Sequence, residues 1–299
     1  MPDFSAVDTH LHLWQVDRFD YPWLNDIPPL NRSFLLKDFH QHSEEVDISY
    51  MVFVQCDTIA SQGLDEASWI ASLADMDTRI KGIVAFAPIE DGTGVKSYLD
   101  ELVQIPKIKG VRRLLHILDD SEFCLQPSFI KGLHILSDYN LSFDICMRHD
   151  QLSSGVQMVQ QCPDLQFMLD HIGVPDIKNK VFDSWCDDIK ALADFDNVYC
   201  KISGVVTTAD HQSWTVDEIS PYINYAIECF GWDRIAYGGD WPVSTLATTY
   251  PRWVEVLDQI VSGASDQQKR KLYCENAIKF YRLEKLQGRE NERRGTLSL

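Results

Sequence analysis

Eight short apolar segments recur along the chain, and most are dense in Val, Ile, Leu and Phe, as strands buried on both faces are. Their starts lie between 25 and 44 residues apart, which leaves room for a helix between consecutive parallel strands. The segments are Ala6–Leu13, Tyr50–Cys56, Ile80–Ala87, Ile108–Leu115, Leu141–Arg148, Gln166–Gly173, Val198–Val205 and Arg234–Asp240.

Helical patterns fill the gaps between these segments. They are Leu64–Asp77, Gly94–Gln104, Pro127–Tyr139, Gln151–Gln161, Asp183–Asp194, Ser220–Phe230, Tyr250–Ile260 and Ser265–Arg282. Strand and helix alternating eight times predicts an α/β fold, a single-domain (β/α)₈ TIM barrel over residues 1–285, with its functional site at the C-terminal ends of the strands. An open doubly wound sheet with an added lobe is the alternative.

Two stretches fall outside this alternation. The first connection, residues 14–49, is longer than most loops and mixes three prolines with aromatic side chains. We expect it to pack as a lid or as a pocket wall. The tail, residues 286–299, is polar and has no apolar face, so we expect it to be disordered.

Charge and composition narrow the classes of partner. The 299 residues carry a net charge of −18, which disfavours binding to nucleic acid or to an anionic membrane surface. The N-terminus lacks the features of a secretory signal, and no apolar run approaches the roughly 18 residues of a transmembrane helix. None of the eight cysteines forms a C-x-x-C pair, which is typical of buried thiols in a reducing cytoplasm. We expect a cytoplasmic protein, and the sequence allows a homo-oligomer.

The first predicted strand carries two histidines, His10 and His12, on one face together with Trp14. Two imidazoles separated by one residue can converge on one metal ion or on one substrate oxygen. A pair of hydrogen-bonded core histidines is the alternative.

The eighth segment ends in Gly238-Gly239-Asp240-Trp241-Pro242. Two glycines allow the backbone to bend or to approach a ligand closely. The Asp240 carboxylate would then stand at a strand's C-terminal end, where barrel enzymes hold their catalytic groups. A helix-capping or turn aspartate is the alternative.

The sixth segment ends in Asp170-His171, just before Gly173. Because side chains alternate along a strand, only one of these two neighbours can face the barrel interior. His171 is our choice, and Asp170 is expected on the other face. A histidine bonded only to backbone is the alternative.

Weaker candidates end four other strands. Arg112 or Arg113 can bind a carbonyl or a carboxylate, although a structural ion pair explains either equally well. Gln55, Lys201 and Arg148 are further polar candidates. Five histidines without such context are expected on the surface or on helices: His40, His42, His116, His134 and His211.

Together these motifs resemble the amidohydrolase superfamily (amidohydrolase 2 type), in the branch of sugar-lactone hydrolases that contains L-fuconolactonases and L-rhamnonolactonases. The resemblance covers residues 6–283. It rests on Asp8–Trp14 with Phe19–Leu24, on Gly110–Arg112, on Leu169–Gly173 and on Gly238–Pro242.

The resemblance implies hydrolysis of an aldonolactone to its aldonic acid in sugar catabolism. It places His10, His12, His171 and Asp240 around the reacting carbonyl and Arg112 in contact with the substrate. The same four side chains can hold one divalent ion, zinc or manganese. A metal-free site built from these residues is equally compatible with the sequence.

In such a site Asp240 would act as general base toward water, while His171, Arg112 or a metal polarises the carbonyl. Substrate contacts are predicted for the residues Arg112, Trp14, Trp23, Gln55, Lys201 and Trp241. Core packing explains the aromatic residues equally well.

Other functions fit parts of the pattern. A metal-dependent decarboxylase or hydratase would use a similar set of histidines and aspartate. A dicarboxylate lactonase would need several arginines in its pocket, which Arg112, Arg113 and Arg148 could supply. A barrel that serves only as a non-enzymatic scaffold is disfavoured by the intact motifs.

Overall fold

A computed structural model describes residues 4–284 of the chain. Eight parallel strands pair in chain order: β1 (Ala6–Leu11), β2 (Ile48–Val54), β3 (Ile80–Ala85), β4 (Ile108–Arg112), β5 (Ser142–Ile145), β6 (Phe167–Leu169), β7 (Val198–Ile202) and β8 (Ile235–Tyr237). The ring closes just after β8, where Asp240 N donates to His10 O and His12 N donates to Trp241 O, both at 2.8 Å. The predicted TIM barrel is therefore confirmed, and the open sheet is wrong.

Helices surround the barrel in the predicted order. They are α1 (Leu36–His42), α2 (Gly63–Met76), α3 (Val95–Leu102), α4 (Pro127–Asp138), α5 (Leu152–Gln161), α6 (Asp183–Ala193), α7 (Val216–Phe230), α8 (Tyr250–Ile260), α9 (Asp266–Arg270) and α10 (Asn276–Phe280). A π-helical turn, Lys271–Glu275, joins α9 to α10 and divides the predicted helix Ser265–Arg282. The predicted polar tail, residues 286–299, lies outside the described residues. Within residues 4–284, no helix has the length and apolar character needed to cross a membrane.

Helix α7 begins four residues before the predicted Ser220. Thr215 caps it, since its hydroxyl accepts from Glu218 N, while the Glu218 carboxylate accepts from Thr215 N. This reciprocal pair satisfies two backbone donors at the helix start. Pro221 lies inside the helix, in its second turn.

The long first connection folds back onto the barrel. It contains α1, which the sequence pattern did not predict, and two short 3₁₀ turns, Pro22–Asp26 and Pro28–Leu30. Trp14 and Phe34 exchange backbone hydrogen bonds at 2.9 and 3.0 Å. The Trp23 indole donates to Cys56 O at 2.8 Å. Of the two roles predicted for this connection, these contacts favour the pocket wall.

A buried carboxyl group lies where this wall meets α2. Glu66 is 1% exposed and accepts from the Tyr21 hydroxyl and from Cys56 N, both at 3.3 Å. Burial raises the pKa of Glu66 from 4.5 to about 8. Between these two values the folded protein holds a proton that the unfolded chain has lost, so the Glu66 contribution to stability falls as the pH rises.

We expect Glu66→Gln to remove this pH dependence. Between pH 5 and pH 8, the free energy of unfolding of the wild type should fall by up to about 3 kcal/mol more than that of the variant. Urea denaturation at the two pH values measures the difference. Glu101→Gln, at an exposed position on α3, is the control. Equal pH dependence in the wild type and Glu66→Gln would contradict the expectation.

Candidate active site

A cavity of about 440 Å³ opens at the C-terminal ends of the strands, a size typical of small-molecule sites. Of the predicted site residues, six line it: His12, Trp14, Trp23, Arg112, His171 and Asp240. His10 lies directly behind this lining and is fully buried. The principal candidates predicted at the strand ends therefore lie in one cavity or directly behind it.

His10, His12 and Asp240 converge at the base of the cavity. His10 Nε2 and His12 Nε2 are 3.2 Å apart, and Asp240 Oδ1 lies 3.8 Å from the first and 3.5 Å from the second. His12 Nδ1 donates to the Val54 carbonyl at 2.8 Å. The neutral His12 ring therefore presents an unprotonated Nε2 to the site. Burial lowers the pKa of both histidines, which keeps them neutral near pH 7.

The two glycines before Asp240 let β8 pass close to β1. A Cβ on Gly238 would lie 2.8 Å from the His10 Cβ, and one on Gly239 would collide with the Tyr250 ring. Asp8 fixes this crossing because its carboxylate accepts from Gly239 N and from the Tyr250 hydroxyl, both at 2.8 Å. Burial raises the pKa of Asp8 to about 6 despite these bonds. Asp240 itself has a φ of +52°, a conformation that Asp tolerates better than most residues.

The end of β6 departs from simple alternation. The strand stops at Leu169, and a 3₁₀ turn follows in which His171 has a φ of +54°. This turn directs both His171 and Asp170 inward, so the expectation that Asp170 faces away is wrong. His171 lines the cavity, and its Nδ1 lies 2.9 Å from the buried Ser203 hydroxyl.

Gly204 lies close to both His171 and Asp240. It follows β7 with a φ of +61°, and an added Cβ would lie 2.5 Å from His171 Nδ1 and 2.9 Å from Asp240 Oδ2. The absence of a side chain at this position therefore allows the imidazole and the carboxylate to occupy the same corner of the cavity.

We expect Gly204→Ala to lower kcat by about 10²-fold, because small displacements of catalytic groups have effects of this size. Steady-state kinetics on the best substrate measures the change, and circular dichroism checks the fold. Gly231→Ala is the matched control, since Gly231 also has a positive φ, +66°, and nothing lies within 4 Å of its added Cβ. Unchanged kcat in Gly204→Ala would show that this close approach has no catalytic role.

A network of buried charges lies beneath His10. Lys201 Nζ contacts Asp144 Oδ2 at 2.6 Å, Asp170 Oδ1 at 2.9 Å and His10 Nδ1 at 3.2 Å. Asp170 Oδ2 accepts from Arg112 Nη1 at 3.2 Å. Burial alone would raise the pKa of Asp170, but the charges of Lys201 and Arg112 and the hydrogen bond with His10 hold it well below its usual value. Two cations and two carboxylates thus balance one another in the barrel interior.

This network corrects two predicted substrate contacts. Lys201 is fully buried and pairs with carboxylates below the cavity rather than facing it. Gln55 is also fully buried, and its backbone carbonyl accepts from Arg112 Nη2 at 2.6 Å. Neither side chain lines the cavity. Both residues hold Arg112 and His10 in place from behind.

The three tryptophans predicted to contact substrate lie in different environments. Trp14 and Trp23 line the cavity, whereas Trp241 is fully buried among Phe34, Phe39 and His42 at ring separations of 5.4 to 5.6 Å. The substrate contact predicted for Trp241 is therefore wrong. Its side chain packs in the core next to α1, the helix that the sequence pattern missed.

The sequence also missed His116. It lines the cavity beyond β4, and its Nδ1 lies 3.3 Å from the Cys146 thiol. The prediction that it belongs to the surface or to a helix is wrong. Arg113 and Arg148, by contrast, turn away from the cavity, toward Glu90 at 2.8 Å and Asp150 at 3.0 Å.

The donor atoms fit one metal ion. The nitrogens of His10 and His12 and the oxygen of Asp240 are spaced close to the roughly 3.3 Å expected between donors of a tetrahedral zinc site with bonds of about 2.0 Å. His171 belongs instead to a second group, with His10 and Asp170. Arg112 Nη1 lies 3.2 Å from His10 Nε2 and so places a positive charge beside one of the donor atoms.

Fold and side chains together define a barrel enzyme whose acid–base and cationic groups meet at the C-terminal ends of the strands. The amidohydrolase family (Amidohydro_2) matches residues 7–283. The chain belongs to this family, as its motifs predicted.

Similar proteins include L-fucono-1,5-lactonases. The one from Burkholderia ambifaria is 25% identical over 289 residues, which span 94% of this chain and 97% of that protein. An uncharacterized protein, y4mH from Sinorhizobium fredii, is 28% identical and covers 95% of this chain and all of its own length.

Solved structures show the same architecture. An amidohydrolase from Burkholderia multivorans with bound zinc is 25% identical, has a TM-score of 0.83, and covers 94% of this chain and all of its own. A putative 2-pyrone-4,6-dicarboxylic acid hydrolase from Pseudomonas putida is 18% identical, with a TM-score of 0.73 over 94% of this chain and 98% of its own. The similarity to the Pseudomonas putida structure supports only the fold.

Proposed function

We propose that the protein hydrolyses a sugar lactone, an aldonolactone such as L-fucono- or L-rhamnonolactone, to the aldonic acid in sugar catabolism. The observation that carries this proposal is the Asp240 carboxylate, which opens into a small-molecule cavity beside two neutral imidazoles. The similarity to L-fucono-1,5-lactonases supports it.

In this proposal Asp240 is the general base. It takes a proton from a water molecule as the water oxygen bonds to the lactone carbonyl carbon, and it returns that proton to the ring oxygen as the carbon–oxygen ring bond breaks. The unprotonated His12 Nε2 can accept the other water proton in a hydrogen bond and orient the attacking lone pair. His171 and Arg112 line the same cavity and stabilise the negative charge that develops on the carbonyl oxygen.

A zinc or manganese ion held by His10, His12 and Asp240 would supply Lewis-acid chemistry and a more acidic bound water. The same residues also support catalysis without a metal, because Arg112 already places a fixed positive charge 3.2 Å from His10 Nε2. The two forms differ in their response to a chelator.

The charges of the cavity favour a neutral, hydroxylated lactone over a dicarboxylate. Among the described residues that line it, Arg112 is the single Arg or Lys, while Asp26 and Asp57 add carboxylates. A dicarboxylate ring would be repelled by these two side chains, whereas sugar hydroxyls can donate to them. Trp23 offers an aromatic face for the sugar ring.

A pH-indicator screen of aldonolactones, with and without EDTA and with the metal content assayed, tests the proposal. Acid release from L-fuconolactone or a close relative is the expected result. Activity that survives metal removal would favour the metal-free form, and activity restored by zinc or manganese would favour the metal site. No acid release from any lactone would overturn the proposal and favour a decarboxylase.

A further inference from the structure

His116 and Cys146 form a pair on the cavity wall that the proposed reaction does not use. His116 follows β4 and Cys146 follows β5, and both side chains line the cavity. The two segments are joined by their backbones, since Leu115 N and His116 N both donate to Cys146 O, at 3.1 and 3.0 Å. The imidazole therefore stands on a fixed support rather than on a free loop.

The Cys146 thiol determines which nitrogen of His116 carries the proton. Cys146 Sγ lies 3.3 Å from His116 Nδ1. An imidazole nitrogen is a much better acceptor than a thiol sulfur, so the S–H donates to Nδ1 and the ring proton resides on Nε2. Burial lowers the pKa of His116 to about 4 and raises that of Cys146 to about 12, so both groups are neutral near pH 7.

His116 and Asp240 follow opposite strands of the barrel. Asp240 follows β8 and His116 follows β4, which lies on the opposite side of a closed ring of eight strands. Because both residues line one cavity, a lactone bound with its carbonyl beside Asp240 can place a ring substituent against His116. Such substituents are hydroxyl groups in an aldonolactone.

We propose that His116 is a specificity-determining residue whose Nε2–H donates to one ring hydroxyl of the lactone, and that Cys146 is a positioning residue that holds His116 in this tautomer. The inference rests on the proposed lactone hydrolysis. It adds a requirement for a hydroxyl at one position of the ring, which the reaction at the carbonyl does not itself impose.

The test compares kcat/KM on the best aldonolactone and on its monodeoxy analogues. For one analogue, the wild type should prefer the hydroxylated lactone. His116→Asn should reduce this preference about tenfold, as expected for the loss of one hydrogen bond. His116→Gln, whose amide nitrogen lies near the former Nε2, should retain part of it. His134→Asn, at an exposed position on α4, is the control and should retain all of it.

Substitutions of Cys146 provide a second, independent test. Cys146→Ala removes the donor to Nδ1 and should reduce the same preference, whereas Cys146→Ser keeps a hydroxyl donor and should restore it. A purely structural role of the thiol would leave the tautomer of His116 unchanged in Cys146→Ala. Histidine ¹⁵N NMR spectra should show His116 protonated on Nε2 in the wild type and in Cys146→Ser.

The outcomes separate the two proposals. If the wild type hydrolyses no lactone, lactone hydrolysis fails and this inference fails with it. If the wild type discriminates among the analogues and His116→Asn discriminates equally well, only the role of His116 is wrong. If Cys146→Ala retains the full preference, the positioning role of Cys146 is wrong.

Discussion

Asp240→Asn is expected to lower kcat by about 10²–10⁴-fold, the usual contribution of a positioned general base. An amide cannot take the proton from water, yet it nearly matches the carboxylate in size. Asparagine also tolerates the positive φ at this position, so the backbone bonds to His10 O and from Ser244 N should persist. The fold is therefore expected to remain intact while turnover is lost.

Steady-state kinetics and thermal denaturation together measure this effect. Asp138→Asn makes the same change of charge at an exposed position at the end of α4 and should leave kcat unchanged. Near-wild-type turnover in a folded Asp240→Asn protein would remove Asp240 from the mechanism.

Lys201→Met is expected to destabilise the protein by about 3–5 kcal/mol, the range observed when one partner of a buried ion pair is removed. Lys201 is fully buried, and its Nζ lies 2.6 and 2.9 Å from two buried carboxylates, those of Asp144 and Asp170. Burial alone would lower the pKa of Lys201, but these carboxylates raise it, so the ammonium stays charged. Methionine fills much of the volume but leaves both carboxylates without their ammonium partner.

Urea denaturation of the wild type and the variant measures this loss. Adding Asp144→Asn to Lys201→Met should recover part of the stability, because Asp170 keeps Arg112 as a partner whereas the Asp144 carboxylate is left without a cation. Lys96→Met removes a lysine from an exposed pair with Asp100 and should have little effect. A Lys201→Met protein as stable as the wild type would show that the network does not stabilise the fold.

The fold followed from the sequence because its signals are local and repeated. Each strand is a compact apolar run, and parallel pairing needs a helix at regular intervals. Helix α1 escaped prediction because it is only seven residues long and stands among prolines and aromatics. Its place was determined by packing against Trp241, a contact between distant parts of the chain.

The site was partly predictable for a similar reason. His10, His12 and Asp240 stand at strand ends, where the barrel dictates that they converge. Asp170 was misplaced because alternation holds only within a strand, and β6 ends one residue earlier. The burial of Lys201 below the cavity and the pairing of His116 with Cys146 depend on partners at least 30 residues away. No local sequence pattern predicts such contacts.

Under the proposed function, this cavity hydrolyses a neutral sugar lactone. Measurement of kcat/KM of the purified wild type for L-fucono-1,5-lactone and for 2-pyrone-4,6-dicarboxylate, side by side, decides between a neutral and a dicarboxylate substrate. We expect acid release from the neutral lactone and little or none from the dicarboxylate, because Arg112 is the one guanidinium among the described residues of the cavity wall. Turnover of the dicarboxylate with no release from any neutral aldonolactone would contradict this expectation.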